Sequence, residues 1–186
     1  MQLKIFDIVN KRLKNESHDL LARKTGRDTF KKVSTRLGDI EKGEVVELDF
    51  ADIRVMDPSF IDEFLINLIE ESLPEKNDYY IKLLNLLKIS EINISNVFKS
   101  YYNHTGKKIA VALDSISFEN KYYIGPLTEI ENEIVNYMRI NRSVKIEQIA
   151  ENISQNTGTV EKLLENLFIC RLIRKIDKSS GIYYLV

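Results

Sequence analysis

Between Glu44 and Phe50 the chain alternates: Val46, Leu48 and Phe50 fall on one side, Val45, Glu47 and Asp49 on the other. That period of two predicts a half-buried strand. Asp57-Pro58 follows, and Phe60, Ile61, Phe64, Leu65, Leu68 and Ile69 then recur at helical spacing, with Asp62, Glu63, Asn67, Glu70 and Glu71 mostly opposite. Aspartate caps a helix and proline suits its first position, so the spacing predicts a helix opening at Asp57-Pro58 and ending at Pro74. Upstream, Gln2–Val9 is predicted as a strand and Thr25–Ile40 as a polar amphipathic helix, opened by Thr25 with Asp28 three residues on in the manner of a capping box. Downstream, Tyr79–Leu84 is a third strand, and Ile94, Val97, Phe98 and Tyr101 mark one face of a helix between Ile89 and Asn103. Lys107–Leu113 carries an unbroken Ile-Ala-Val-Ala-Leu run, the mark of a strand covered on both faces. Strands alternating with helices predict an α/β sandwich with some parallel pairing.

The pair Gly125-Pro126 punctuates the chain, and the pattern changes beyond it. Thr128–Ile140 is amphipathic with Ile130, Ile134, Val135 and Met138 inward; Ile146–Ile153 is a short helix with Ile146, Ile149, Ala150 and Ile153 inward. After a turn at 154–158, Val160, Leu163, Leu164 and Leu167 form the stripe of a third helix. Leu172–Ile176 and Ile182–Val186 are two strands around an Asp-Lys-Ser-Ser-Gly turn at 177–181. Three helices and a terminal hairpin predict a small winged helix (α+β). The expected organisation is an α/β domain over 1–115, a linker over 116–127 and a winged helix-turn-helix over 128–186.

Composition narrows the class of function. With 44% hydrophobic and 30% charged residues the chain has the balance of a soluble globular protein. It contains no apolar run near the ~18 residues of a bilayer span, and its first residues lack the pattern of a secretory signal. A single cysteine, Cys170, excludes an internal disulfide and points to the reducing cytoplasm. The net charge is −1, and beyond Thr128 there are 8 Lys and Arg against 8 Asp and Glu, so neither half is a general phosphate-binding surface.

Two stretches resemble known families. Val45-Val46-Glu47-Leu48-Asp49-Phe50, Val55-Met56-Asp57-Pro58-Ser59-Phe60 and the helix to Leu73 resemble the strand-loop-helix centre of STAS domains, found in anti-sigma-factor antagonists and in the cytoplasmic tails of anion transporters. They are most similar to a bacterial STAS-like group in which a segment like Arg23-Lys24-Thr25-Gly26-Arg27 precedes the first helix. The resemblance covers about residues 1–115 and implies a mixed sheet with helices. In the phosphorylated antagonists the turn reads Asp-Ser-Ser-Gly-Leu, and its second serine accepts phosphate from a kinase-like ATPase that is also the binding partner. Ser59 falls on that position, with Pro58 replacing the first serine and Phe60 the glycine. The resemblance therefore makes Ser59 a phosphoacceptor candidate, and Asp57, Ser59, Phe60, Asp62 and Glu63 a candidate partner surface. The competing reading is a hydroxyl that merely satisfies a helix end, and the three acids would repel a phosphate placed there.

Residues 127–186 resemble the winged helices of bacterial and archaeal transcription regulators, through Ile146-Glu147-Gln148-Ile149-Ala150, Thr159-Val160 and the run from Leu163 to Arg174. The resemblance implies a third helix facing DNA through Thr157, Thr159, Lys162 and Asn166, with Arg171, Arg174, Lys175 and Lys178 beside it at the wing. Glu161 and Glu165 on the same helix oppose that reading, and Arg171 stands where such domains often place a helix-ending glycine. His18 and His104 lack ligand partners at metal spacing, no glycine-rich phosphate loop or Gly-x-Ser-x-Gly elbow occurs, and no cofactor or catalytic residue is expected. The expected function is a regulator or adaptor with a protein partner, DNA as an alternative partner, no membrane, and room for a homodimer; the alternative is a DNA-binding transcriptional regulator that uses its first domain to dimerise or sense.

Overall fold

A computed structural model describes residues 1–10, 17–175 and 182–186. The first half runs β1 (Gln2–Lys4), α1 (Ile5–Asn10), β2 (Asp19–Leu20), α2 (Arg23–Arg36), β3 (Val45–Asp49) and β4 (Val55–Met56). It continues through α3 (Pro58–Ile61), a π-helical turn (Asp62–Ile66), α4 (Asn67–Glu71), β5 (Tyr80–Leu84), α5 (Lys88–Thr105), β6 (Val111–Leu113) and β7 (Tyr123–Ile124). The second half holds α6 (Glu129–Asn141), β8 (Ser143–Lys145), α7 (Ile146–Asn152), α8 (Thr157–Ile169), β9 (Ile173–Lys175) and β10 (Ile182–Leu185).

Five strands form the main sheet in the order β1-β3-β5-β6-β7. The first four are parallel and β7 returns antiparallel to β6, with Val111 opposite Ile124 and Ala112 opposite Tyr123. β7 thus falls inside the stretch 116–127. A Cβ on Gly125 would stand 2.5 Å from the Cβ of Ala110, so the chain leaves β7 through a close approach that only glycine permits.

The alternation read in β3 holds: Val46 and Leu48 are fully buried, as is Phe50 just beyond them. On one side of the sheet they join Ile81, Leu83, Val111, Leu113 and Ile124 against the apolar faces of the helices, including Phe60, Phe64, Leu68, Ile94 and Phe98. The opposite side of the same strands presents Ala110, Ala112 and Tyr123 to a second core built with Ile134, Met138, Ile149, Val160, Leu164 and Leu167 from the second half. β6 is therefore covered on both faces, as its continuous apolar run predicts.

Two expectations at the N-terminus are corrected. The predicted strand Gln2–Val9 is a strand only to Lys4; Ile5, Ile8 and Val9 are buried at i, i+3 and i+4, and the segment turns helical to bury all three. The capping box at Thr25 and Asp28 does not form, because α2 starts earlier, at Arg23 after Ala22, with no side-chain cap. Its exposed amide at Ala22 is taken instead by a remote carboxylate, Asp57 Oδ2, at 3.0 Å.

In the second half Thr128 caps α6 and forms a full capping box with Glu131. α6, α7 and α8 stand beside a three-stranded antiparallel sheet in the order β8-β10-β9. β8 was not foreseen, because Ser143-Val144-Lys145 is too short to show a period. The turn read at 177–181, with Lys178, lies outside the described residues. Among the described residues, no helix is long and apolar enough to cross a membrane.

Candidate functional site

The corner between β4 and α3 is organised by Asp57. Its Oδ1 accepts the Phe60 N–H at 2.6 Å, closing the first turn as a helix cap, while its Oδ2 accepts the Ala22 N–H. One carboxylate thus ties the starts of α2 and α3 together. α5 holds the other side: Ser90 Oγ accepts the Met56 N–H at 3.2 Å, and Asn93 Nδ2 donates to the Met56 carbonyl at 2.8 Å. Neither residue was singled out in the sequence, where each is a polar position without periodic signal.

α2 crosses α3 closely enough that a Cβ on Gly26 would meet the Phe60 carbonyl at 2.8 Å and Glu63 Cβ at 2.9 Å. The crossing delivers Arg23, whose Nη1 donates to Asp62 Oδ2 and Glu63 Oε1, both at 2.9 Å. One guanidinium shared by two carboxylates offsets part of their negative charge and so lessens the repulsion expected at this corner. Behind Asp62 the helix widens into a π turn, a feature that recurs at functional positions.

Ser59 is half-buried at the rim of a groove of about 430 Å³ between α3 and α5, shared with Arg23, Asn96, Ser100 and His104. All residues lining the groove come from the first half. His104 Nδ1 lies 2.7 Å from the Ser100 carbonyl. Tyr101 at the same wall donates to Glu70, and burial, with Glu70 beside it, pushes its hydroxyl up to about 12. Asp57, Ser59, Asp62 and Glu63 stand together at this corner, with Ser59 and Asp62 lining the groove. Phe60 is the exception. It is fully buried, its ring 5.3 Å from that of Phe64, and it belongs to the core under α2 and not to a contact surface.

The second constellation is dispersed. Thr157 and Lys162 are exposed and Thr159 half-buried on the first turns of α8, which Asn156 caps by accepting the Thr159 N–H at 2.8 Å. Asn166 points back to Glu131 Oε1 at 3.4 Å. Arg174 is half-buried and Lys175 is exposed, with its Nζ 4.6 Å from the Tyr183 ring centroid.

Arg171 is only 3% exposed and cannot reach nucleic acid. It holds φ at +60° in a full Schellman ending, with Leu172 N–H on the Leu167 carbonyl and its own N–H on the Phe168 carbonyl. The glycine-like position is therefore real, and a buried guanidinium occupies it. Its Nη2 donates to Asp78 Oδ1 and to the Tyr79 carbonyl, both at 2.8 Å, fastening the second half to the edge of β5. A second clamp joins Lys108 Nζ to Glu131 Oε2 at 3.0 Å, with Glu131 almost fully buried. Cys170 lies between the clamps, buried as expected.

Residues 37–91 match the family model of a STAS-like domain of unknown function (DUF4325). The matched segment runs from the end of α2 to the start of α5 and contains β3, the Asp57 corner and β5. The parallel-rich sheet with its helices is consistent with a STAS-like fold. No curated protein matches the chain.

Proposed function

We propose that the chain is a non-enzymatic regulator whose STAS-like half docks a protein partner at the Asp57–Ser59 corner, while its second half, read as a winged helix, carries the output. The observation that supports this is the placement of Ser59. It stands at the rim of a groove that the second half leaves uncovered, beside Arg23 and His104. A phosphate on Ser59 would add a charge of about −2 within reach of a guanidinium already shared by Asp62 and Glu63. The new anion competes for Arg23, frees the two acids and changes the surface a partner meets. By resemblance to the anti-sigma-factor antagonists, that partner is a kinase-like ATPase.

The test is retention of partners from native lysate by full-length wild type, Ser59→Ala and Ser59→Glu. The expected result is a protein held by the first two and released by the third. The same set of proteins on all three would end the proposal.

The open first turn of α8 favours DNA as a second reading, now resting on Thr157, Thr159 and Lys162 without Arg171. Salt-sensitive retention on duplex DNA that weakens in Lys162→Gln would support it.

A further inference from the structure

Large apolar side chains left in solvent gather at one end of the first half. Leu87 and Ile89 flank the start of α5, and Ile116 and Phe118 lie in the loop between β6 and β7; each is 40–52% exposed. Two contacts fix that loop beside α5. The Asp114 N–H donates to the Leu83 carbonyl at 3.1 Å, and the Phe118 N–H donates to the buried Glu91 carboxylate at 2.8 Å. The loop is therefore pinned by its backbone with both apolar side chains outward. Together the four side chains present on the order of 300 Å² of apolar surface, a size at which a monomer's largest patch is often functional.

Beside this knob lies a hollow of about 550 Å³, and Leu87 belongs to both. Phe50, Ala51, Ile53 and Leu86 complete its apolar lining. Its polar residues are already engaged. His18 Nδ1 lies 2.7 Å from the Asp52 carbonyl, the Asp52 carboxylate pairs with Lys4 at 2.8 Å, Arg54 donates to Asp19 at 3.0 Å, and Asn85 donates to Asp49 at 2.8 Å. What the hollow offers an incoming group is apolar contact.

The charges around the patch divide in a similar way. Glu119 is held by Lys99 and Lys121, whereas the exposed Lys88 and Asp114 have no ion-pair partner among the described residues. Lys88 stands between Leu87 and Ile89, and Asp114 two residues before Ile116. One surface thus carries a knob, a hole, a free cation and a free anion. In a two-fold dimer a patch meets itself, so each feature needs its complement on the same surface. This patch meets that requirement.

We infer that this face docks a second copy of the chain about a two-fold axis near Leu87. The Ile116–Phe118 loop of each copy enters the hollow of the other, and Lys88 of each faces Asp114 of the other. The apolar core of such a contact is smaller than the about 800 Å² per partner of a standard interface, so the dimer is a weak one. An anionic membrane fits less well, because Asp114 and Glu119 belong to the same loop region. The inference stands independently of the Ser59 corner, whose groove takes its α5 lining from Asn96 onward.

Sedimentation velocity of the full-length protein, from about 1 to about 500 µM, should show a monomer–dimer equilibrium with a Kd of about 10–100 µM. Phe118→Asp should weaken it at least about ten-fold with the circular dichroism unchanged. Lys88→Glu and Asp114→Lys should each weaken self-association by setting like charges opposite one another. An equimolar mixture of these two variants should nevertheless dimerise at least about ten-fold more tightly than either alone, because both cross-copy pairs are then of opposite sign. A chain that stays monomeric throughout, one that stays monomeric yet is retained by phosphatidylglycerol vesicles, or a dimer indifferent to Phe118→Asp would each overturn the assignment. So would the absence of any gain on mixing, which rests on two exposed charges and decides the matter even if Phe118→Asp does not fold.

Discussion

The guanidinium carbon of Arg171 lies 3.8 Å from the centroid of the Tyr80 ring, and the same group donates to the Tyr79 carbonyl and to Asp78. A residue expected beside the second half's hairpin to meet phosphates is instead spent inside the molecule. It accepts a left-handed backbone conformation that glycine would adopt more easily, because its side chain is held by the Tyr79 carbonyl, Asp78 and the Tyr80 ring.

Arg171→Met should therefore weaken folding, not nucleic-acid affinity. The expected loss is about 1–3 kcal/mol in urea unfolding, since the Tyr79 carbonyl loses its donor while Asp78, partly exposed, regains water. If the second half loosens first, amide exchange in α6 to α8 should accelerate before exchange in β3 and β5.

Glu131 links the capping box of α6 to Lys108 of the first half. Burial opposes its ionisation, but the hydrogen bonds from Thr128 and Lys108 prevail and hold the carboxyl below the ordinary range. A carboxyl depressed in the folded state stabilises fully above its unfolded value of about 4.3, and that stability disappears as pH falls through the folded value. Urea midpoints measured from pH 7 down to pH 3 should show this loss. Glu131→Gln should start about 1–3 kcal/mol lower at pH 7 and flatten the profile.

Gly26→Ala tests the crossing of α2 over α3. Alanine favours an isolated helix by about 1 kcal/mol, yet its Cβ would sit at 2.8 Å from a backbone oxygen and 2.9 Å from Glu63. The overlap should win, with a net destabilisation of about 1–3 kcal/mol. Chemical denaturation reads the sign directly, and a stabilised variant would show that the two helices can separate freely.

Cys170 should be inert in the folded protein. Burial pushes its thiol up to about 11 and leaves it 3% exposed, so a disulfide reagent at pH 8 should react slowly, at a rate set by opening of the second half. Urea should convert this to immediate reaction, and Arg171→Met should accelerate it at low urea.

Local pattern made most of the architecture legible. The strand at Val45–Asp49, the capped helix start at Asp57-Pro58, the doubly covered strand before Leu113 and the amphipathic helix after Thr128 all follow from spacing and side-chain chemistry within a few residues. Gln2–Val9 misled because Leu3 and Ile5 satisfy a period of two, while burial of Ile5, Ile8 and Val9 decided in favour of a helix.

The sequence by itself determined where the chain turns, which faces are apolar, and that Asp57 and Ser59 open a helix. Tertiary structure alone decided what these residues meet: Arg23 arriving over Asp62 and Glu63, Ser90 and Asn93 pinning β4, Phe60 sealed in the core, and Arg171 drawn under Tyr80. The reason is range. Caps and periods act within one or two turns of chain, whereas these contacts join residues from 34 to 93 positions apart, and no spacing rule extends across such a distance.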